Sequence, residues 1–337
     1  MKWPWQTTTA GADRVAIRDD EQGLAWVQTA PDGQLRRAGL EPRGSDSPAD
    51  FARRVRALDL PGRDVLALLP LSAAQLLQID APAVKPEELK SAARWRIKDQ
   101  VDTRLDELTV DVLNVGDGRS RPTGRQLFVV AARNAQIQAL TRDAQAAGLQ
   151  LSVIDIAELA QRNLLHAAAR AEGLGDRATA ALMRHGDQAL LTICAGGELF
   201  YARRLDWDDA GLQPAAAGMP ALPAALEDLD FVDYGAADAT PDTAGAPRLV
   251  VEVQRSMDLW ERSWPELPVA GLWVKAGELN AALVAELAPA VGFPVHQLVP
   301  ERLFPGFDAA VADLAAANPP WRATVLHLLG ALQRHAA

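Results

Sequence analysis

Cysteine occurs once in the 337 residues, at Cys194, which excludes an intramolecular disulfide framework and a cysteine-based metal site and fits a reducing compartment. Histidine is nearly as scarce. Its five copies, His166, His185, His296, His327 and His335, have no ligand-like spacing beyond an i, i+8 pair near the C-terminus, so no metal is expected. Positive charge is also short: 34 Lys and Arg against 44 Asp and Glu leave a net charge of -10, which argues against a general nucleic-acid binder. Long apolar runs are missing. The longest, Val65 to Leu77, is broken by Pro70 and falls short of the roughly 20 residues that span a bilayer, and the opening MKWPWQTTTAG lacks the apolar stretch of a secretory signal. A cytoplasmic protein with at most peripheral membrane contact is expected.

What is present is ample material for a core: 49% hydrophobic and 23% charged residues over a length that suits two domains. Residues Arg14–Arg37 read strand, turn, strand, with VAI, DDEQG, LAWVQ, PDG and QLRR in succession. A short buried strand follows at Val65–Leu69. The run KPEELKSAARWRIKDQV from Lys85 has Pro86 and two acids at its start and Leu89, Ala92, Ala93 and Ile97 at helical spacing, which predicts an amphipathic helix. Strands are predicted at Leu108–Val115, Leu127–Ala131 and Leu151–Ile156. Helices are predicted at Ala135–Ala147 before Gly148 and from the last strand to about Arg170. The segment AEGLGDR (Ala171–Arg177) divides the chain. Beyond it come a second hairpin within Ala181–Leu205, a Pro- and Ala-rich insertion at Gln213–Ala225 and a loop at Ala236–Pro247. Helices are then predicted at Arg248–Trp264, Glu278–Val291 and Trp321–His335, and strands at Val269–Val274 and Pro294–Leu298.

The two hairpins align. Ile17-Arg18-Asp19-Asp20-Glu21-Gln22 against Met183-Arg184-His185-Gly186-Asp187-Gln188 keeps strand, arginine, acid and glutamine in step, and the flanking strands follow. With helices and strands alternating after each hairpin, two related α/β lobes are expected. The bounds read from the sequence are 1–170, with a small inserted subdomain around 80–125, and 178–337, with the helix at 321–335 packing back on the first lobe.

Several longer blocks carry a family resemblance. They are PEELKSAARWRIKDQVD with its following acid-bearing strand, LFVVAARNAQIQALTRDAQAAGLQLSVIDIAELAQRNLL, VEVQRSMDLW and LLGALQR. In their order and spacing the chain resembles the PilM-like proteins of type IV pilus assembly, and among them those of mannose-sensitive haemagglutinin (MSHA) pili. The resemblance implies an α/β, actin-like bilobed fold related to the cell-division protein FtsA, with two RNase H-like lobes. It also implies a cytoplasmic protein recruited to the inner membrane by the tail of a PilN-like or MshJ-like partner and coupled to the pilus assembly motor.

Active members of the actin-like group open each lobe with D-I-G-x-S/T. There the acid orients a metal or water, glycine lets the backbone approach phosphate, and amide and hydroxyl groups grip its oxygens. In this chain the acid positions hold Arg18 and Arg184, and arginine neither coordinates a cation nor loses its charge. Asp19 and Asp20 put negative charge where phosphate would lie, and Gly186 is followed by Asp187 in place of a hydroxyl. The adenosine-side loop that resembles L-S-G-G-G-A in the family reads Lys275-Ala276-Gly277 here. The expectation is a degenerate nucleotide site and a non-catalytic protein with no cofactor, weak ATP binding being left open because arginine can also bind phosphate directly. A working ATPase on the same fold and a GspL-like cytoplasmic domain of type II secretion are the rival readings. The GspL-like reading is set apart by a chain that closes on GALQRHAA without an apolar span.

Other candidates have plainer readings. Asp155 and Glu158 are expected to be a helix N-cap and a first-turn acid rather than an acid/base pair. Leu89, Arg94, Trp95 and Arg96 are candidate partner contacts on the helix after Lys85, in the subdomain that the resemblance places beside the groove for a partner's extended tail. Trp3 and Trp5 are candidate docking side chains at the N-terminus. Trp260 and Trp264, at i and i+4, are expected to pack into the core.

Overall fold

The structure is a computed structural model that describes residues 12–118, 124–209, 212, 247–317 and 319–334. Trp3, Trp5 and the insertion at 213–225 lie outside the described residues, as does the loop at 236–246.

The chain opens with β1 (Arg14–Asp20), β2 (Gly23–Thr29) and β3 (Leu35–Pro42), an antiparallel meander. Gly23 closes the first turn at φ 147° with its Cα against β3; an added Cβ would sit 2.1 Å from the Glu41 carbonyl oxygen, so only glycine fits. The helix α1 (Pro48–Ala57) follows. Ser47 caps it by accepting the Asp50 amide, Pro48 sits in its first turn, and Phe51, Ala52 and Val55 bury one face. β4 (Val65–Leu68) then runs parallel to β1.

A small subdomain intervenes. β5 (Ala74–Asp80), α2 (Leu89–Arg96), β6 (Leu108–Asn114) and β7 (Gln126–Arg133) form an antiparallel sheet of order β5-β7-β6 with one helix. Its sheet runs from Ala74 to Arg133, wider than 80–125, because β5 and β7 lie outside those bounds. The helix predicted from Lys85 is also shorter than its periodicity suggests. Only Leu89–Arg96 is α-helical, flanked by 3-10 turns at Pro86–Glu88 and Lys98–Gln100, because Ala93 and Ile97 meet the small sheet and Val101 must turn extended towards β6.

The chain returns through α3 (Asn134–Ala146) to β8 (Leu151–Asp155), which pairs parallel to β4 and completes a sheet of order β3-β2-β1-β4-β8. α4 (Ala157–Ala171) crosses to the second lobe, where β9 (Ala178–His185), β10 (Gln188–Ala195) and β11 (Glu198–Asp206) form the second meander. After α5 (Arg248–Ser263) come β12 (Val269–Lys275), α6 (Asn280–Val291) and β13 (Val295–Gln297). The second sheet has order β11-β10-β9-β12-β13, the same third-second-first-fourth-fifth arrangement as the first. The repeat seen in the hairpins is thus a repeat of whole sheets, and the fold is actin-like, with two RNase H-like lobes.

Three helices close the chain: α7 (Pro300–Leu303), α8 (Phe307–Ala317) and α9 (Pro319–Leu332). α8 packs on β3, and α9 packs on β1, β2 and β4 of the first lobe and along α4. One apolar core therefore runs through both lobes. It includes Ala16, Val27 and Leu66 of the first sheet, Leu164 and Leu329 of the two helices, and Met183 and Trp273 of the second sheet. Where α4 and α9 cross, Gly330 lies so close that an added Cβ would stand 2.5 Å from the Ala160 carbonyl oxygen and 2.6 Å from Leu164 Cγ. The Asn163 side chain donates to the Gly330 carbonyl at 2.9 Å.

Forcing a methyl group into this crossing strains a packed core by about 1–3 kcal/mol. Gly330→Ala is expected to lower the thermal midpoint by several degrees, read by circular dichroism. An unchanged midpoint would contradict the close crossing.

Candidate functional site

The candidate nucleotide positions lie at the ends of the two hairpins and in the loop after β12, and Arg18 of the first hairpin stands near His185 of the second. At the first hairpin, Arg18 Nε lies 3.2 Å from Asp20 Oδ2, and Asp20 accepts the Gln22 amide at 3.0 Å. Asp19 accepts from Arg43 Nη2 at 2.5 Å, and the Arg43 guanidinium lies 4.4 Å over the Phe51 ring. Burial pushes the Asp19 carboxyl up, against the pull of Arg43. Both acids and the arginine are engaged within the first lobe.

The second hairpin does the same with different parts. Arg184 Nε donates to the Gly186 carbonyl at 2.9 Å, and its guanidinium covers the Trp207 ring at 4.6 Å. Gly186 turns the chain at φ 68°, while exposed Asp187 accepts the Trp207 amide through its carbonyl at 2.9 Å. The loop after β12 is fastened by Asn280, whose side-chain oxygen accepts the Ala276 amide at 2.5 Å, and Gly277 turns at φ 67°. Lys275 is half-buried; burial lowers its pKa, the nearby Arg322 adds to this, and Asp308 opposes it. Two arginines and a lysine thus stand towards the ends of β1, β9 and β12, the arginines each engaged within their own hairpin and the lysine near Arg322 and Asp308 of the closing helices. Among the described residues no group of three His, Cys, Asp or Glu could hold a metal ion.

Between the hairpins lies a contact that the sequence pattern does not signal. The ring of His185, the last residue of β9, stacks on His327 of α9 with centroids 4.0 Å apart and planes 30° apart. His327 is 3% exposed, and Nε2 of both rings is shut off from solvent without a hydrogen-bond partner.

The acid pair at the start of α4 differs from expectation. Ile156, not Asp155, occupies the N-cap position; the Asp155 carboxylate accepts the neighbouring Ile156 amide at 2.8 Å, and burial pushes its pKa up. Glu158 does lie in the first turn, but its role is an ion pair. Its side chain is 2% exposed and receives Arg204 Nη2 at 2.7 Å and Nε at 3.2 Å. Arg204 Nη2 also donates to the Ala74 carbonyl at 2.7 Å, so one guanidinium joins the second lobe, α4 and the small subdomain.

A slot of about 330 Å³ opens between β5 and β11, lined by Gln75, Leu76, Leu77, Leu190, Ala202 and Arg203. Both strands are sheet edges. Arg204 on Ala74 fastens it at one place and the Gly116 amide on the Leu199 carbonyl, at 2.7 Å, at another. Gly116 packs so tightly on Phe200 that a Cβ there would meet its ring at 2.3 Å. Phe200 in turn meets Trp260 and Trp264, which stack at 5.4 Å as expected of a core pair. The consecutive arginines of YARRLD point to opposite sides of β11: Arg203 donates to Glu252 at 2.5 Å and Ser256 at 3.0 Å on α5, and Arg204 reaches α4. That pair was the available signal for the slot. A larger cavity, about 390 Å³, lies beside β13 and α7 and shares no residue with the hairpins.

Of the four side chains proposed on α2, Leu89 packs against the subdomain core and Arg94 donates to the Leu105 carbonyl at 3.0 Å. Trp95, 68% exposed, and Arg96 face solvent.

An actin-like, two-lobed protein with arginines at both hairpin ends is what the geometry defines. Residues 52–208 match the family model described as type IV pilus assembly protein PilM, a segment that includes the small subdomain, α4 and both edges of the slot. A solved PilM–PilN type IV pilus biogenesis complex is 16% identical with a TM-score of 0.62, covering 94% of this chain and 98% of the other. The chain is thus PilM-like in sequence over that segment and in fold over nearly its whole length. A Bacteroides thetaiotaomicron protein with an actin-like ATPase fold and unknown function is 10% identical with a TM-score of 0.47, covering 86% and 93% of the two chains. The cytoplasmic domain of EpsL, an inner-membrane component of the type II secretion system of Vibrio cholerae, is 14% identical with a TM-score of 0.41, covering 58% and 71%. No curated protein sequence matches the chain. No described helix is long and apolar enough to cross a membrane.

Arg204→Met leaves Glu158 buried beside no cation, a loss of about 3 kcal/mol. Urea unfolding is expected to show it, with most of the loss recovered in Arg204→Met/Glu158→Leu. Wild-type stability in the single variant would contradict the three-way junction.

Proposed function

We propose that this chain is a non-catalytic assembly scaffold of an MSHA-type type IV pilus, an MshI-like member of the PilM group. It works on the cytoplasmic side of the inner membrane, where it holds the tail of a PilN-like, MshJ-like membrane protein and links it to the assembly motor. The observation that carries the reading is the pair Arg18 and Arg184, each engaged within its own hairpin where an active actin-like protein needs a carboxylate, in a chain with a PilM-type segment. A guanidinium cannot replace a metal-orienting acid, and the neighbouring Asp19 and Asp20 repel phosphate. The nucleotide hairpins then serve as the central strands of the lobes.

The slot between β5 and β11 is the proposed seat for the tail. It has the apolar side chains Leu76, Leu77, Leu190 and Ala202 in its lining and lies between two strands that are sheet edges, where an extended segment can pair. Support comes from the PilM–PilN complex whose PilM fold this chain shares.

Three measurements test the reading. Isothermal titration with Mg-ATP is expected to give no saturable heat at micromolar concentrations, and a phosphate-release assay no turnover; tight binding or hydrolysis would restore the ATPase alternative. A fluorescent peptide of the cytoplasmic tail of a PilN-like protein is expected to bind the wild type. Ala202→Arg, which fills the slot, is expected to weaken it about tenfold or more, equivalent to roughly 1.4 kcal/mol. Equal affinity in the variant would move the seat elsewhere, and no binding to the wild type would remove the scaffold reading.

A further inference from the structure

We propose that the His185–His327 stack is a latch that holds the second hairpin closed against α9, and that protonation of either ring releases it. His185 ends β9, and His327 lies on a helix docked on β1, β2 and β4, so the contact joins the two lobes at the point where their hairpin ends approach. The rings stack at 4.0 Å with both Nε2 atoms enclosed and unpartnered. His327 bonds through its other nitrogen to the Ala323 carbonyl of its own helix. A stack of two neutral imidazoles suits this enclosure, and a proton added at either Nε2 finds no hydrogen-bond acceptor there. It would also face its neighbour across 4.0 Å.

The charged groups around the pair disfavour that proton. Arg18 approaches from β1 with its Asp20 partner, and Arg204 from β11 with its Glu158 partner on α4. Arg184, next to His185 on β9, is held on the Gly186 carbonyl and the Trp207 ring. Of these groups the arginines act on the rings, Arg18 on both and Arg204 on His185, each against a proton. Burial leads the same way: it holds His327 down to about 3 and His185 well below the usual histidine range, with His327 and Arg18 adding to the effect on His185.

The sign follows from linkage. An opened hairpin returns the rings to water, where a histidine titrates near 6.5, so the open form binds more protons than the closed form as pH falls through that value. The opening constant is then expected to rise about tenfold per pH unit below roughly 6.5 for each ring that titrates.

Hydrogen exchange of the amides at 184–189 in the full chain, corrected for intrinsic rates, reads this opening between pH 7.5 and 5.0. The wild type is expected to lose protection there with that slope while β1 and β4 stay protected. His327→Phe keeps a flat ring in the stack and is expected to remove its share of the slope, with His185→Phe as the matching variant should the first not fold. Three results would overturn the latch: no pH-dependent opening in the wild type, the same slope in both phenylalanine variants, or simultaneous loss of protection in β1 and β4, which would mean general acid unfolding.

Discussion

Everything in this molecule is hung on the crossing of α4 and α9. Gly330 lets the α9 backbone rest against Ala160 and Leu164, and Asn163 fixes the register by its bond to the Gly330 carbonyl. Because the two helices share one face with the first sheet and another with the second, apolar burial cannot be divided between the lobes. Their relative orientation is set by side-chain packing, which tolerates little displacement. The small subdomain is then fixed by two polar contacts at the edge of β11, through Arg204 and Gly116.

The hairpin ends sit beside that crossing. Arg18 is ion-paired with Asp20 and Arg184 bonds the Gly186 carbonyl, while the His185–His327 stack joins β9 to α9. The closing helix α9 supplies contacts there, from His327 to the second lobe and along β1, β2 and β4 of the first. The slot beside the small subdomain is fastened by the Arg204 junction, which joins β11, α4 and β5.

Much of the fold could be read before the structure, because the meanders rely on local signals: alternating apolar residues, tight turns at Gln22-Gly23 and Gly186, and helices ended by Gly148 and Gly292. β5 was missed since AQLLQID places Leu76 and Leu77 side by side, breaking alternation; both line the slot and are half-buried. α1 was missed although Ser47 and Pro48 mark its start, because three arginines interrupt its apolar face. α7 and α8 were missed in an Ala-rich stretch without strong periodicity. At the site, residue identity told that an acid was lacking at both hairpins. It could not tell where the arginines turn, nor that His185 meets His327 and Glu158 meets Arg204, since each contact joins segments distant in the chain and leaves no period in the sequence. Asp155 was misassigned because an acid just before a helix reads as a cap, whereas the backbone places Ile156 there.

The central claim is that packing, and not nucleotide, sets the arrangement of the lobes. Spin labels on Arg56→Cys of α1 and Glu286→Cys of α6, both exposed, report the distance between them, and buried Cys194, with its thiol pushed up to about 12, stays unlabelled. The account predicts one narrow distance distribution by pulsed electron resonance, unchanged by saturating Mg-ATP. A distribution that shifts by several ångströms or narrows when Mg-ATP is added would contradict it.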